Sequence, residues 1–212
     1  AMARGAATAT AALVVADRSD TAIDEIAAVA AKNGGPLWFQ VYPEPDVDEL
    51  LGRVGKAVAA GCKAVCLTVG TAYGPTGAGG YPQVGALKEL GFPGLNWGYV
   101  ERVREAAKVP LLLKGIMSAE EAAAAVERGI DGLVVSNRGG RFVRGVAEPI
   151  TVLPEIVDAV GGRAPVLVDG GFRRGGDVLK ALVFGATAVL VSRPALWGLA
   201  AYGADGVRTV VE

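Results

Sequence analysis

Seven short apolar runs constrain this chain more than any other feature. They are Ala12–Asp17 (ALVVAD), Leu37–Tyr42 (LWFQVY), Ala64–Gly70 (AVCLTVG), Pro110–Ile116 (PLLLKGI), Gly132–Asn137 (GLVVSN), Pro165–Gly171 (PVLVDGG) and Ala188–Pro194 (AVLVSRP). Each is apolar almost throughout instead of alternating, which suits strands covered on both faces, as in a parallel sheet. Helical patterns separate them. Ser118 with Glu121 forms a capping box that opens AEEAAAAVERG, and Gly129 ends it. Asp46 with Glu49 opens a helix over Val47 to Ala60, and further helices are expected over about Thr21–Lys32, Trp97–Lys108, Val152–Val160 and Gly176–Phe184. Strand alternating with helix is the signature of an α/β fold. The longest interruption, Thr71 to Asn96, is rich in Gly and Pro and reads as a functional loop.

Seven strand–helix units come one short of a TIM (β/α)₈ barrel. Met2 to Ala7 reads as the tail of a helix, and Gly206 to Glu212 as a helix cut short. The expectation is therefore a barrel whose first strand belongs to a longer chain, with residues 1–212 as one barrel domain. A doubly wound open sheet is the alternative.

The 212 residues suit one domain, and the net charge of −1 creates no field that would draw in nucleic acid or an anionic membrane. The two cysteines, Cys62 and Cys66, read as reduced core residues, and with no histidine in the chain a transition-metal site is not expected. No apolar run reaches the roughly 18 residues of a membrane span. The opening AMARGAATATAALVVAD has some likeness to a secretion signal but reads better as a helix end followed by a strand, so a cytoplasmic location is expected. The 31 glycines point to tight turns and phosphate contacts.

Polar residues collect where the runs stop: Gln40 and Tyr42, Thr68, Lys114, Ser136 and Asn137, Asp169, Arg193. In a barrel these ends share one rim, where active sites lie. The last two units are the most specific. Asp169-Gly170-Gly171-Phe172-Arg173-Arg174-Gly175-Gly176 is a glycine-rich turn into a helix N-terminus, and Ser192-Arg193-Pro194 follows the next strand. Backbone N–H groups, a helix dipole and an arginine clamp there would suit a phosphate. The plainer reading is two turns with solvated arginines.

KGI after LLL, SNxGGR, DGGxRRGxDVLKAL and the closing RP, in this order, resemble the FMN-dependent 2-hydroxy acid oxidase/dehydrogenase family, which includes glycolate oxidase, lactate oxidase and mandelate dehydrogenase. The likeness runs from about Ala12 to the end and is densest from Pro110. It implies FMN as cofactor and roles by position. Gln40 and Thr68 would hydrogen-bond the flavin ring, and Lys114 would stabilise negative charge on it. Asp169, Gly171 and Arg173 would hold the ribityl and phosphate part, with Ser192 and Arg193 at the phosphate; the family usually has glycine where Ser192 stands. Tyr42 would touch a small-molecule carboxylate substrate and Arg141 would pair with its carboxylate. A homo-oligomer is expected. Plainer readings stand beside these: Lys114 as a strand-end salt bridge, Gln40 and Tyr42 as solvated rim residues, Trp97 as packing.

Two departures bear on chemistry. Arg138 stands where the family has the histidine of SNHGGR, and Gly70 where it has the aspartate of TVDT. In the family that histidine takes a proton and the aspartate steadies its cation. Both members of one dyad are replaced together, and arginine, with a pKa above about 12, is a very poor base. Ala16 stands at the family's early flavin-contacting serine. Three readings follow: an FMN oxidoreductase with Arg138 beside Arg141 suited to a dicarboxylate or phosphorylated acid, a flavin-binding protein with a partner or regulatory role, and a barrel binding a phosphorylated ligand without flavin.

Overall fold

All seven apolar runs are strands of one parallel sheet. The computed structural model describes residues 1–69, 96–140 and 147–212. The strands are β1 (Leu13–Ala16), β2 (Leu37–Val41), β3 (Ala64–Thr68), β4 (Leu111–Ile116), β5 (Gly132–Val135), β6 (Val166–Asp169) and β7 (Ala188–Leu190). The helices are α1 (Met2–Thr8), α2 (Ile23–Lys32), α3 (Val47–Ala59), α4 (Trp97–Ala107), α5 (Ala119–Glu127), α6 (Pro149–Val160), α7 (Gly175–Val183) and α8 (Arg193–Val211). Spatial order follows chain order, β1-β2-β3-β4-β5-β6-β7, and every pairing is parallel. A doubly wound sheet reverses its order at a switch point. This one never reverses, so it is the winding of a (β/α) barrel.

The helix starts follow their local chemistry. Asp46 Oδ1 accepts from the amides of Asp48 at 2.9 Å and Glu49 at 3.3 Å. Ser118 Oγ accepts from Glu121 N at 3.3 Å, and Glu121 Oε2 reaches back to the Met117 amide at 3.3 Å, one residue beyond a strict capping box. The α6 helix begins at Pro149 instead of Val152, because proline's fixed φ and missing N–H suit a first helical position. The strands end earlier than the runs: beyond them the hydrogen bonds become one-sided, as with Asp17 N to Gln40 O at 2.8 Å and Val69 N to Lys114 O at 2.7 Å.

The helical layer returns on itself. A side chain at Gly5 of α1 would collide with Ala204 and Val207 of α8. Within α8 the chain turns sharply at Tyr202–Gly203, so that Gly198 and Gly206 lie back to back with no room for a Cβ at either. The sheet has two apolar faces. The larger core lies between sheet and helices and includes Val41, Leu67, Leu111, Leu113, Ile116, Leu133 and Val168, with Leu50, Val54, Leu153 and Ile156 from the helices. A second, smaller cluster fills the opposite face: Ala64, Cys66, Leu112, Val134 and Leu167, flanked by Val14, Trp38, Ala188 and Leu190.

Candidate functional site at the carboxyl rim of the sheet

Period-two alternation decides which side chains meet. Two residues beyond the inner-face residues of five strands, toward the carboxyl ends, the sequence turns polar: Trp38 is followed by Gln40, Cys66 by Thr68, Leu112 by Lys114, Val134 by Ser136 and Leu167 by Asp169. The apolar plug therefore carries a polar layer directly on top of it. Thr68 and Lys114 are register partners, as are Asp169 and Leu190 at the last pair, just before Arg193.

Lys114 is the centre of this layer. It is 7% exposed, donates to Ser136 Oγ at 3.0 Å and forms an ion pair with Asp169. A charge this buried is tolerable only when paired and hydrogen-bonded. A bulge follows it: the register shifts between Lys114 and Ile116, and Gly115 takes φ 111°. The extra residue lets Lys114 stay on the inner face while Ile116 turns to the helices. Beside it, Gln40 Nε2 donates to Thr68 Oγ1 at 3.0 Å and to Tyr42 Oη at 3.2 Å.

The SNRGG turn after β5 is built by its own side chains. Ser136 Oγ accepts from Arg138 N at 3.2 Å and Asn137 Oδ1 from Gly139 N at 2.9 Å, while Asn137 Nδ2 donates to Ala147 O at 3.2 Å. These bonds hold Arg138 at φ 57° and Gly139 at φ 76°. A left-handed conformation costs a non-glycine residue about 1–2 kcal/mol, so the turn has a constrained shape. It places the Arg138 guanidinium 5.6 Å from the centre of the Tyr42 ring.

The turn after β6 is open. Gly170 and Gly171 take φ 105° and 85°, and a Cβ at Gly171, Gly175 or Gly176 would meet nothing within 4 Å. Asp177 closes the helix start by accepting from the amides of Arg173 at 3.0 Å and Arg174 at 3.1 Å, which holds its carboxyl below the usual value. The Arg173 side chain donates to Phe172 O at 2.8 Å and lies over the Trp197 ring at 5.1 Å. Ser192 and Arg193, both exposed, begin α8 on the neighbouring strand. The rim thus offers an open glycine turn, two adjacent helix starts, arginines, and an inner set of Gln, Thr and Lys donors. That donor set fits a flat acceptor-rich ring with a phosphate tail, which is what FMN is. Arg141 and Gly70, together with most of the Thr71–Asn96 stretch, lie outside the described residues.

Sequence reasoning missed a group beside Tyr42. Arg18, just past β1, lies 5.3 Å from the Tyr42 ring centre and pairs with Glu44 at 3.3 Å. Arg53 of α3 joins Glu44 at 3.4 Å, Asp17 at 3.5 Å and Glu49 at 3.1 Å. Asp17 points to the helix side, with its side chain 1% exposed; burial raises its pKa, against the Arg53 charge and the nearby Tyr42 amide, which lower it. Neither Asp17 oxygen completes a hydrogen bond among the described residues, so its tie to Arg53 is coulombic. The signal was present in ALVVADRS: a cation directly after an apolar run, the same pattern that marked the other rim residues. The cysteines are inert core groups: burial pushes Cys66 up to about 12 and Cys62 to about 11. No cluster of potential metal ligands occurs among the described residues, and no described helix is long and apolar enough to cross a membrane.

Comparison with known proteins agrees with this geometry. The model of a family described as FMN-dependent dehydrogenase matches residues 1–77 and 81–212. Over its whole length the chain is 39% identical to a 4-hydroxymandelate oxidase of Amycolatopsis orientalis, covering 66% of that protein. It is also 39% identical to an L-lactate oxidase of a Nostoc strain, covering 67% of it. The crystal structure of mandelate oxidase with (S)-2-phenylpropionate superposes with a TM-score of 0.85 at 41% identity, over 99% of this chain and 64% of that one. A mandelate oxidase variant with a monooxide FMN adduct gives 0.84. The chain thus spans about two thirds of the length of these relatives.

Proposed function

The chain belongs to the FMN-dependent dehydrogenase family, and from that premise we propose that it binds FMN at the carboxyl rim of its barrel and oxidises the CH–OH group of a 2-hydroxy acid there. The observation that carries this reading is the buried Lys114, set between Ser136 and Asp169 beside the Gln40–Thr68 pair. Bound FMN supplies the acceptor for the electron pair that leaves the substrate carbon. The hydroxyl proton would pass to water, and the protein's own groups hold the ring and the substrate. Gln40 and Thr68 orient the ring, and Lys114 puts a fixed positive charge at its edge. Asp169 and the Gly171 amide hold the ribityl chain, while Arg173, Ser192 and Arg193 hold the phosphate. Tyr42 contacts the substrate and Arg141 pairs with its carboxylate.

Arg138 occupies the place of the family's proton-accepting histidine and acts as a fixed cation, since arginine does not give up its proton in proteins. Gly70, in the place of the partner aspartate, brings no carboxylate of its own. A positioned general base is worth about 10²–10⁴ in rate. Oxidation of simple 2-hydroxy acids is therefore slow, while carboxylate binding persists. Self-association is part of the proposal, and the exposed apolar residues Leu179, Val183 and Trp197 are where it would bury surface. The test is anaerobic mixing of the FMN-loaded protein with a panel of 2-hydroxy acids. Slow but complete bleaching of the flavin supports the reading, and no bleaching by any member refutes oxidation.

A further inference from the structure

Two guanidiniums meet at one tyrosine ring. Arg138 comes from the turn after β5 and Arg18 from the loop after β1, and their centres lie 5.6 Å and 5.3 Å from the centre of Tyr42. The first was legible as a substituted catalytic position. The second belongs to no motif, yet it is held in place with care. Half of its side chain is exposed, and an exposed arginine ordinarily keeps most of its rotamer freedom. Here Glu44 takes Arg18 Nη2 at 3.3 Å. Glu44 is in turn fixed at both ends. Its amide donates to Tyr99 Oη at 3.0 Å, and Tyr99 Oη donates back to its carbonyl at 3.3 Å. Its carboxylate also meets Arg53, which leans on the buried Asp17 behind the sheet. The result is a chain of contacts from core to rim whose outer end presents one cation at the residue assigned to touch the substrate. Pre-organised charge of this kind serves recognition more than stability, because an exposed pair is worth only about 0–1 kcal/mol to folding.

We propose that Arg18 is a specificity-determining residue that receives a second anionic group on the substrate, so that the site favours 2-hydroxy dicarboxylates over 2-hydroxy monocarboxylates. The proposal rests on the reading of the rim as an FMN and 2-hydroxy acid site, with Arg138 at the reacting end. Arg18 and Glu44 do not touch the reacting carbon. They set which acids fit, by offering a guanidinium fork to a distant carboxylate.

The experiment compares malate with lactate, two acids that share the reacting end and differ by the second carboxylate. Each is titrated into the FMN-loaded protein under anaerobic conditions, and the dissociation constant is read from the immediate change in the flavin spectrum before reduction. The parent protein binds malate more tightly than lactate. Arg18→Met weakens malate binding by roughly ten- to a hundredfold, the loss expected for one charge-assisted contact, and leaves lactate within about twofold. Arg18→Lys recovers part of the malate affinity, since the charge returns without the fork. Equal loss for both acids would make Arg18 a structural residue, and an unchanged malate constant would remove it from recognition; either overturns the proposal. If neither acid perturbs the parent's flavin, the underlying reading of the site fails, and the role of Arg18 fails with it. A parent protein that binds lactate as tightly as malate while Arg18→Met changes neither defeats the specificity claim alone.

Discussion

Replacing Arg53 by Met removes a charge and keeps most of the stem, and its cost must depend on pH. Asp17 sits behind the sheet with 1% of its side chain exposed, and Arg53 is its nearest counter-charge at 3.5 Å. Breaking a buried pair by removing one member costs about 3–5 kcal/mol, because the other charge is left uncompensated. The carboxyl has an escape: it can take up a proton. From its ordinary value of 3.8 to pH 7 is about three units at about 1.4 kcal/mol each, so protonation caps the loss near 4 kcal/mol. Arg53 is itself 28% exposed, so water already screens the pair and the expected loss at pH 7 is about 2–4 kcal/mol. Burial raises the folded-state pKa of Asp17 even in the parent. A carboxyl raised in this way favours folding below its unfolded value and gives up that contribution as pH climbs through the folded value. Deleting Arg53 lifts the folded value further, so the deficit widens from pH 5 to pH 7 by about 1.4 kcal/mol per unit at most. Asp17→Asn costs less, because Arg53 keeps Glu44 and Glu49. Urea unfolding of parent and variants at both pH values, with FMN saturating, measures this. A deficit for Arg53→Met that is the same at pH 5 and pH 7, or an Asp17→Asn variant less stable than Arg53→Met, would refute the reasoning.

Other outcomes follow from single residues. Cys62 and Cys66, pushed up to about 11 and about 12 by burial, should resist a thiol reagent at pH 8 in the native protein and react fully in urea; fast native labelling would contradict their placement. Gly171→Ala should cost about 1–2 kcal/mol for the positive φ and weaken FMN binding beyond what that loss explains, since the added methyl enters the open turn; unchanged FMN affinity would place the ribityl chain elsewhere. Arg138→His together with Gly70→Asp should speed flavin reduction by simple 2-hydroxy acids, by up to about 10²–10⁴, and Arg138→His alone should do less; equal rates for parent and double variant in rapid-mixing kinetics would show that the dyad's replacement is irrelevant.

Much of the fold was legible because unbroken apolar runs have few uses in a chain of this size. LVVA, AVCLT and VLVD are strands where the sequence reading put them. Their ends were not legible, because Asp17, Val69 and Ser136 each keep a backbone hydrogen bond to one neighbouring strand past the end of the paired segment. Nor could the runs say which face each residue takes. Cys66 and Leu67 are adjacent and both fully buried, one in the inner cluster and one under the helices. That assignment needs the curvature of the sheet. The turn at Tyr202–Gly203 inside α8 and the start of α6 at Pro149 were missed for a similar reason: glycine and proline mark a change of direction without saying which. In the site, Lys114, Thr68, Gln40 and Asp169 were each recognised from one strand end, and the structure brings them together. Arg18 was overlooked although it directly follows ALVVAD, because its partners, Glu44 and Tyr42, come from another loop.

The central claim is that the rim holds FMN, with Lys114 at the ring and Arg193 at the phosphate. Titrating the flavin-free protein with FMN, followed by the visible spectrum, tests it most directly. The account predicts saturable binding with a perturbed flavin spectrum, weakened roughly ten- to a hundredfold by Arg193→Ala and altered in band shape by Lys114→Met. A flavin spectrum identical to free FMN at all concentrations, or binding indifferent to both substitutions, would contradict it.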